Sequence, residues 1–102
     1  MLEISKMLTL STAHIKGSTM VRLLSEYPNF TNIEIYPKDD CGCFIYFHTD
    51  ENNNLTCHHK ESSDALTYDL YKCIMLAHEM DCNMLCLDSD GPTTALLKTY
   101  DW

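Results

Sequence analysis

Basic residues are scarce in this chain. Seven Lys and Arg stand against fifteen Asp and Glu, a formal net charge of −8 with histidine neutral. The imbalance is local: residues 1–38 carry four basic and three acidic residues, hence +1, and residues 39–102 carry three and twelve, hence −9. Phosphate backbones repel such a surface, so direct nucleic-acid binding is not expected. Partners with basic surfaces are favoured by the same Coulomb argument. Long apolar runs are missing too. No stretch approaches the ~20 apolar residues of a membrane helix, so no membrane association is expected. The opening Met1-Leu2-Glu3-Ile4-Ser5-Lys6-Met7-Leu8 has neither an extended apolar core nor a small-residue cleavage site. It does not read as a secretory signal, and a cytoplasmic location is expected.

Catalytic signatures are also absent. There is no Gly-x-Ser-x-Gly, no P-loop and no Gly-x-Gly-x-x-Gly, and Ser11 and Thr12 stand too close to His14 in sequence to form a triad with it. No enzymatic activity is expected. What the chain does have is a core. Its 102 residues suffice for one domain, 1–102, and a hydrophobic fraction of 45% argues against global disorder. The six cysteines (Cys41, Cys43, Cys57, Cys73, Cys82, Cys86) read as thiols in a reducing compartment rather than as a disulfide framework.

Periodicity places the elements. Met7-Leu8-Thr9-Leu10-Ser11-Thr12 alternates apolar and hydroxyl residues, as a half-buried strand does. Gly17-Ser18 offers a break and a cap, Val21, Leu23 and Leu24 follow at helical spacing, and Pro28 stops that helix. Asn32-Ile33-Glu34-Ile35-Tyr36-Pro37 alternates again, and Cys43-Phe44-Ile45-Tyr46-Phe47-His48 is strongly β-prone. The short polar link between them predicts a hairpin. Thr49 to Glu61, centred on Asn52-Asn53-Asn54, reads as a mobile loop. Ser62 or Ser63 caps a second helix with Asp64 in its first turn and an apolar stripe of Leu66, Leu70, Cys73, Ile74 and Ala77. Asn83-Met84-Leu85-Cys86-Leu87 is the last strand, and Asp88-Ser89-Asp90-Gly91-Pro92 ends it in a turn. The tail is expected to fold back and bury Trp102.

The order strand, helix, strand, strand, helix, strand predicts an α+β domain of the ferredoxin-like βαββαβ type. Four antiparallel strands would carry two helices on one face, with the first and third strands central. That arrangement sets His14, at the end of the first strand, beside Cys41, Cys43 and Cys82. Three thiols and an imidazole suffice for tetrahedral zinc. Yet Cys-x-Cys with a lone cysteine far downstream is not a familiar zinc spacing, and thiols filling a small core are the preferred reading. His14 is expected to hydrogen-bond a loop carbonyl instead. A second grouping, His48 with Asp88 and Asp90 and the Cys57-His58-His59 segment, has hard oxygen donors but lacks the rest of a calcium loop. Asp-x-Asp-Gly there reads as a turn, and no cofactor is expected. Phe44 and Tyr46 share one strand face, where aromatics can stack bases. The lack of an Arg/Lys shell argues for core or protein contact instead.

Three segments carry a resemblance: Leu10-Ser11-Thr12-Ala13-His14-Ile15, Tyr36-Pro37 before the aromatic strand, and Cys82 to Gly91 followed by Thr99-Tyr100-Asp101-Trp102. In order and spacing they resemble a family of small bacterial proteins of unknown function found on plasmids, phages and other mobile elements. Its marks are an N-terminal Ser-Thr-Ala-His, a late Leu-x-Leu-Asp-x-Asp-Gly and a terminal Tyr-Asp-Trp. The resemblance implies no activity, and the cysteines are not part of it. It implies a setting in which small accessory proteins bind and block host defence enzymes. The resulting expectation is an acidic binding protein, an inhibitor of anti-CRISPR or anti-restriction type. Asp39, Asp40, Asp50, Glu51 and Glu61, flanking the aromatic hairpin, would be its contact residues. The alternative is a small metal- or ligand-binding domain built on His14 and the nearby cysteines.

Overall fold

The structure, a computed structural model, describes residues 6–26, 33–38, 42–56 and 67–100. Its elements run β1 (Met7–Ser11), a 3-10 turn (Thr12–His14), α1 (Gly17–Glu26), β2 (Ile33–Lys38), β3 (Gly42–Phe47), α2 (Tyr68–Glu79) and β4 (Met84–Asp88). The α+β class and the element order are as expected. Among the described residues no helix is long and apolar enough to cross a membrane.

The sheet departs from expectation. Its order is β1-β4-β3-β2, with β1 parallel to β4 and both other pairs antiparallel. It is therefore mixed, and β4 rather than β1 lies inside it. The side chains explain the exchange. β4 is buried on both sides, through Leu85 and Leu87 on one face and Cys86 on the other, which suits a central strand. β1 places Thr9 between its leucines, ends on Ser11 and takes an edge. The reversal after α2 delivers β4 to β1 directly: Asp81 adopts a left-handed conformation with φ of 60°. Asn83 then holds Lys6 twice, donating its N–H to the Lys6 carbonyl (3.0 Å) and accepting the Lys6 N–H on Oδ1 (3.0 Å).

Register divides the sheet into two faces. Leu8, Leu85, Ile45 and Ile35 form one cross-strand row, and Leu10, Leu87, Cys43 and Pro37 the next. Most of these side chains join one core with Met20 and Leu23 of α1 and Leu70, Cys73, Ile74 and Ala77 of α2. Both helices thus serve the same face. In α1 the buried stripe is Thr19, Met20 and Leu23, while Val21 and Leu24 are exposed. α2 starts at Tyr68 after Thr67, and the expected first-turn residues Ser62, Ser63, Asp64 and Leu66 lie outside the described residues.

Two polar clasps secure this layer. The Asp69 carboxylate, 6% exposed, accepts the Lys16 N–H ahead of α1 (2.8 Å) and the Thr19 hydroxyl (2.8 Å). It thereby lies at the N-termini of both helices, where the aligned backbone dipoles favour negative charge. Burial alone would push its carboxyl up. The hydrogen bonds from Thr67, Lys16, Thr19 and Leu70 outweigh that and hold it below the usual aspartate value. The second clasp is His14, which binds the C-terminal segment. Its Nε2 accepts the Thr94 N–H (3.0 Å) and its Nδ1 donates to the Lys98 carbonyl (3.0 Å). The expected loop carbonyl is thus that of Lys98.

The tail folds back as anticipated through residue 100. The Ser11 N–H reaches the Pro92 carbonyl (2.8 Å) and the Tyr100 N–H the Ala13 carbonyl (2.8 Å). The Lys16 and Lys98 ammonium groups lie over the Tyr100 ring, 5.9 and 5.3 Å from its centre. Trp102 lies outside the described residues. Gly91 lets this path pass β1, since a Cβ there would meet the Leu10 carbonyl oxygen at 2.7 Å. Gly42, with φ of 146°, opens β3 still closer to β4: a Cβ there would run into the Leu87 carbonyl oxygen.

Candidate functional site

The second face of the sheet carries the other residues of the same strands. Met7, Met84, Tyr46 and Glu34 form its first row, and Thr9, Cys86, Phe44 and Tyr36 its second. A solvated sheet face is ordinarily polar, yet this one is aromatic. Tyr36 is 50% exposed and Met7 45%. Tyr36 and Tyr46 meet diagonally across the hairpin, edge to face, with ring centres 5.6 Å apart and planes at 89°. Glu34, Tyr36, Phe44, Tyr46 and Met84 line a groove of about 410 Å³, within the size range of small-ligand and side-chain pockets.

Charge borders the groove at one end. Glu34 ends the first row, and His48, just past β3, places Nε2 3.6 Å from its Oε2; both side chains are more than half exposed. The chain then enters the 49–55 turn. Expected to be a loop, this part reverses the chain and is closed by the Thr49–Leu55 bridge. Asp50 builds it: Oδ1 accepts the Asn52 and Asn54 N–H groups (2.8 and 3.0 Å), and Asn53 takes the left-handed position with φ of 62°. Of the expected contact residues, Asp50 thus organises its own loop and Glu51 stands exposed beside it. Asp39, Asp40 and Glu61 lie outside the described residues.

The histidine and cysteines are not brought together. Parallel pairing of β1 with β4 puts Cys82, ahead of Met84, at the Met7 end of the sheet, whereas His14 follows Ser11 at the other end. Both His14 nitrogens are already engaged. Cys43 lies on the helix-covered face, fully buried, and Cys41 lies outside the described residues. Cys43, Cys73, Cys82 and Cys86 stand as thiols. Burial, followed by the nearby Cys86, pushes the Cys43 thiol up to about 12. Burial and then Asp69 do the same to Cys73, also to about 12. Thiols so disfavoured as thiolates are poor nucleophiles and poor metal ligands.

His48 and Asp88 also separate. β3 and β4 are antiparallel, so Asp88 pairs with Gly42 at the start of β3 and His48 follows its end. Asp88 to Gly91 is the turn its sequence suggests, with the Asp88 Oδ1 accepting the Asp90 N–H (2.9 Å) and the Asp88 carbonyl the Gly91 N–H (2.9 Å). A smaller cleft of about 140 Å³ lies by His78, Asp81 and Cys82, and the His78 Nε2 is buried there without a protein partner. Among the described residues no three His, Cys, Asp or Glu side chains converge to hold a metal.

Phe44 and Tyr46 were legible as one face of a strand; Glu34, Tyr36 and Met84 were not linked to them, although strict alternation along Ile33-Glu34-Ile35-Tyr36 carries that signal. Their convergence needs the register, and Met84 needs the pairing of β3 with β4. No curated protein and no solved structure matches this chain. Residues 7–102 match the C-terminal domain of a family of unknown function, DUF5983, and since that span takes in every strand and helix described above, the chain belongs to this family.

Proposed function

We propose that this is a non-enzymatic binding protein that docks a partner with a basic surface on the open aromatic face of its sheet. The observation that carries the reading is the face itself: three aromatic rings and a methionine line a groove with Glu34 beside them, on a chain of net charge −8. Exposed apolar surface rimmed by charge is the usual form of a protein contact site. Aromatic side chains are the commonest anchors in such sites. Glu51, on the turn beyond β3, would widen the acidic border. The finer reading is an inhibitor of a bacterial defence system carried by a mobile element. It rests on the Ser-Thr-Ala-His, Leu-x-Leu-Asp-x-Asp-Gly and Tyr-Asp-Trp resemblance.

The test is expression in bacteria that carry a restriction or CRISPR system, scored by phage plating. Wild-type protein should raise plating efficiency, and the double variant Tyr36→Ser/Tyr46→Ser, folded by its melting curve, should not. With the purified target, the association rate should fall as salt rises, because screening shortens to about 8 Å at physiological ionic strength. Full activity of the double variant, or salt-independent association, refutes the proposal.

A further inference from the structure

The groove's chemistry is specific enough to name what enters it. Among the described residues its lining holds three aromatic rings, one thioether and one carboxylate, and no basic side chain. A neutral apolar insert would cover Glu34 without pairing it, and burying an unpaired carboxylate is costly. An anionic insert meets like charge. A cation on an apolar stem suits every lining group: ring faces attract it, the carboxylate pairs with it, and Met84 packs against the stem. Among the described residues His48 faces the Glu34 carboxylate, at 3.6 Å and in solvent, a contact easily exchanged for a better one.

The ring geometry selects among cations. Tyr36 and Tyr46 stand perpendicular at 89°, giving the groove a floor and a wall. A planar guanidinium can lie flat on one ring while its edge N–H groups reach Glu34 as a fork. An ammonium is more strongly hydrated and has no plane to stack. We infer that the groove formed by Glu34, Tyr36, Phe44, Tyr46 and Met84 receives an arginine side chain of the partner protein; this rests on the open face being the partner surface.

The probe is the blocked peptide acetyl-Gly-Arg-Gly-amide, titrated into the whole chain carrying ¹³C-methyl methionine and ring-labelled tyrosine. Saturable shifts of the Met84 methyl and of the Tyr36 and Tyr46 rings are expected. The isosteric citrulline peptide, which lacks the charge, should bind about tenfold more weakly, as should the arginine peptide to Glu34→Gln, a factor in keeping with one cation–π contact plus one charged hydrogen bond. The lysine peptide should fall between. Equal binding of arginine and citrulline peptides, shifts confined to the 49–55 turn, or tighter binding of an oligouridylate would overturn the assignment. The phage assay separates the two levels. If Glu34→Gln keeps full activity while Tyr36→Ser/Tyr46→Ser loses it, the arginine assignment fails and the docking face stands. If both keep it, both fail.

Discussion

The two faces of this sheet are built by alternate residues of the same four strands, and they differ in kind. Toward the helices point Ile33, Ile35, Ile45, Leu85 and Leu87, all buried. Away from them point Tyr36, Phe44, Tyr46, Met84 and Glu34. Both sets are largely apolar, so hydrophobicity alone does not separate them. Aliphatic side chains offer nothing to water and gain most by being covered. Tyrosine joins an apolar ring to a hydroxyl that water can satisfy, so it tolerates exposure and still offers a face to bind. The covered side is also locked by polar groups, Asp69 across the helix starts and His14 across the tail. One face holds the core of the fold; the other stays partly exposed.

Adjacent residues on β3 give the sharpest way to break that comparison. Ile45 is fully buried and Tyr46, its neighbour, is only partly so. Ile45→Ala should cost about 2–5 kcal/mol through lost transfer energy and the cavity left behind. Tyr46→Ala should cost about 1 kcal/mol, mostly the edge-to-face contact with Tyr36. Urea denaturation at matched conditions checks both. Equal losses would mean that the outer face is part of the core and not a contact surface.

How much of this was legible follows the distance over which each signal acts. The aromatic hairpin, the stripe Leu70-Cys73-Ile74-Ala77 and the turn at Asp88 depend on neighbours within a few residues, and their patterns were plain. His14 as a hydrogen-bonding residue was legible from its place at a strand end, though not its partners Thr94 and Lys98. Strand pairing was not. A central place for β1 follows a familiar topology, but Leu85-Cys86-Leu87 has no polar side to show solvent, whereas β1 has the partly exposed Thr9. That error moved Cys82 to the wrong end and assembled a cysteine–histidine set the fold does not make. Asp69 went unread as well. Its partners Lys16 and Thr19 lie some fifty residues away, and no local pattern points to them. Glu34 and Met84 entered the groove only through register.

The Asp69 clasp predicts an intermediate effect with a pH signature. Asp69→Asn keeps the shape but replaces a charged acceptor of several donors by a neutral amide, and charged hydrogen bonds contribute about 1.5–3 kcal/mol. The expected loss at neutral pH is about 2 kcal/mol. Because the folded-state carboxyl is held below its unfolded value of about 3.9, its contribution is fully present above that value. It disappears as pH falls through the lower folded value. Wild type and variant should therefore differ in urea midpoint at pH 7 and converge toward strong acid. A gap that stays constant from pH 7 to pH 2 would show that Asp69 acts through packing rather than charge.

The smallest of these effects belongs to the tail. His14 is 2% exposed, and its two bonds fix its state. The Thr94 N–H can only donate, so Nε2 is bare, and Nδ1 carries the proton that reaches the Lys98 carbonyl. His14→Phe fills the same space and keeps neither bond. If the tail stayed in place, the Thr94 N–H and the Lys98 carbonyl would lose their partners, at about 1–3 kcal/mol. The segment can instead lift locally and let water satisfy both groups. It remains tethered by Ser11 to Pro92 and by Tyr100 to Ala13, with two lysines over the Tyr100 ring. Local opening caps the cost near 1 kcal/mol, a melting-temperature drop of about 4–8 °C for a domain of this size. Amide exchange separates the two routes. In the variant the Thr94 and Tyr100 amides should exchange much faster than those of Ile45 and Leu85, which open only with the whole sheet. Protection lost equally at all four sites would mean that His14 supports the core itself, and the tail would then belong with the covered face rather than beside it.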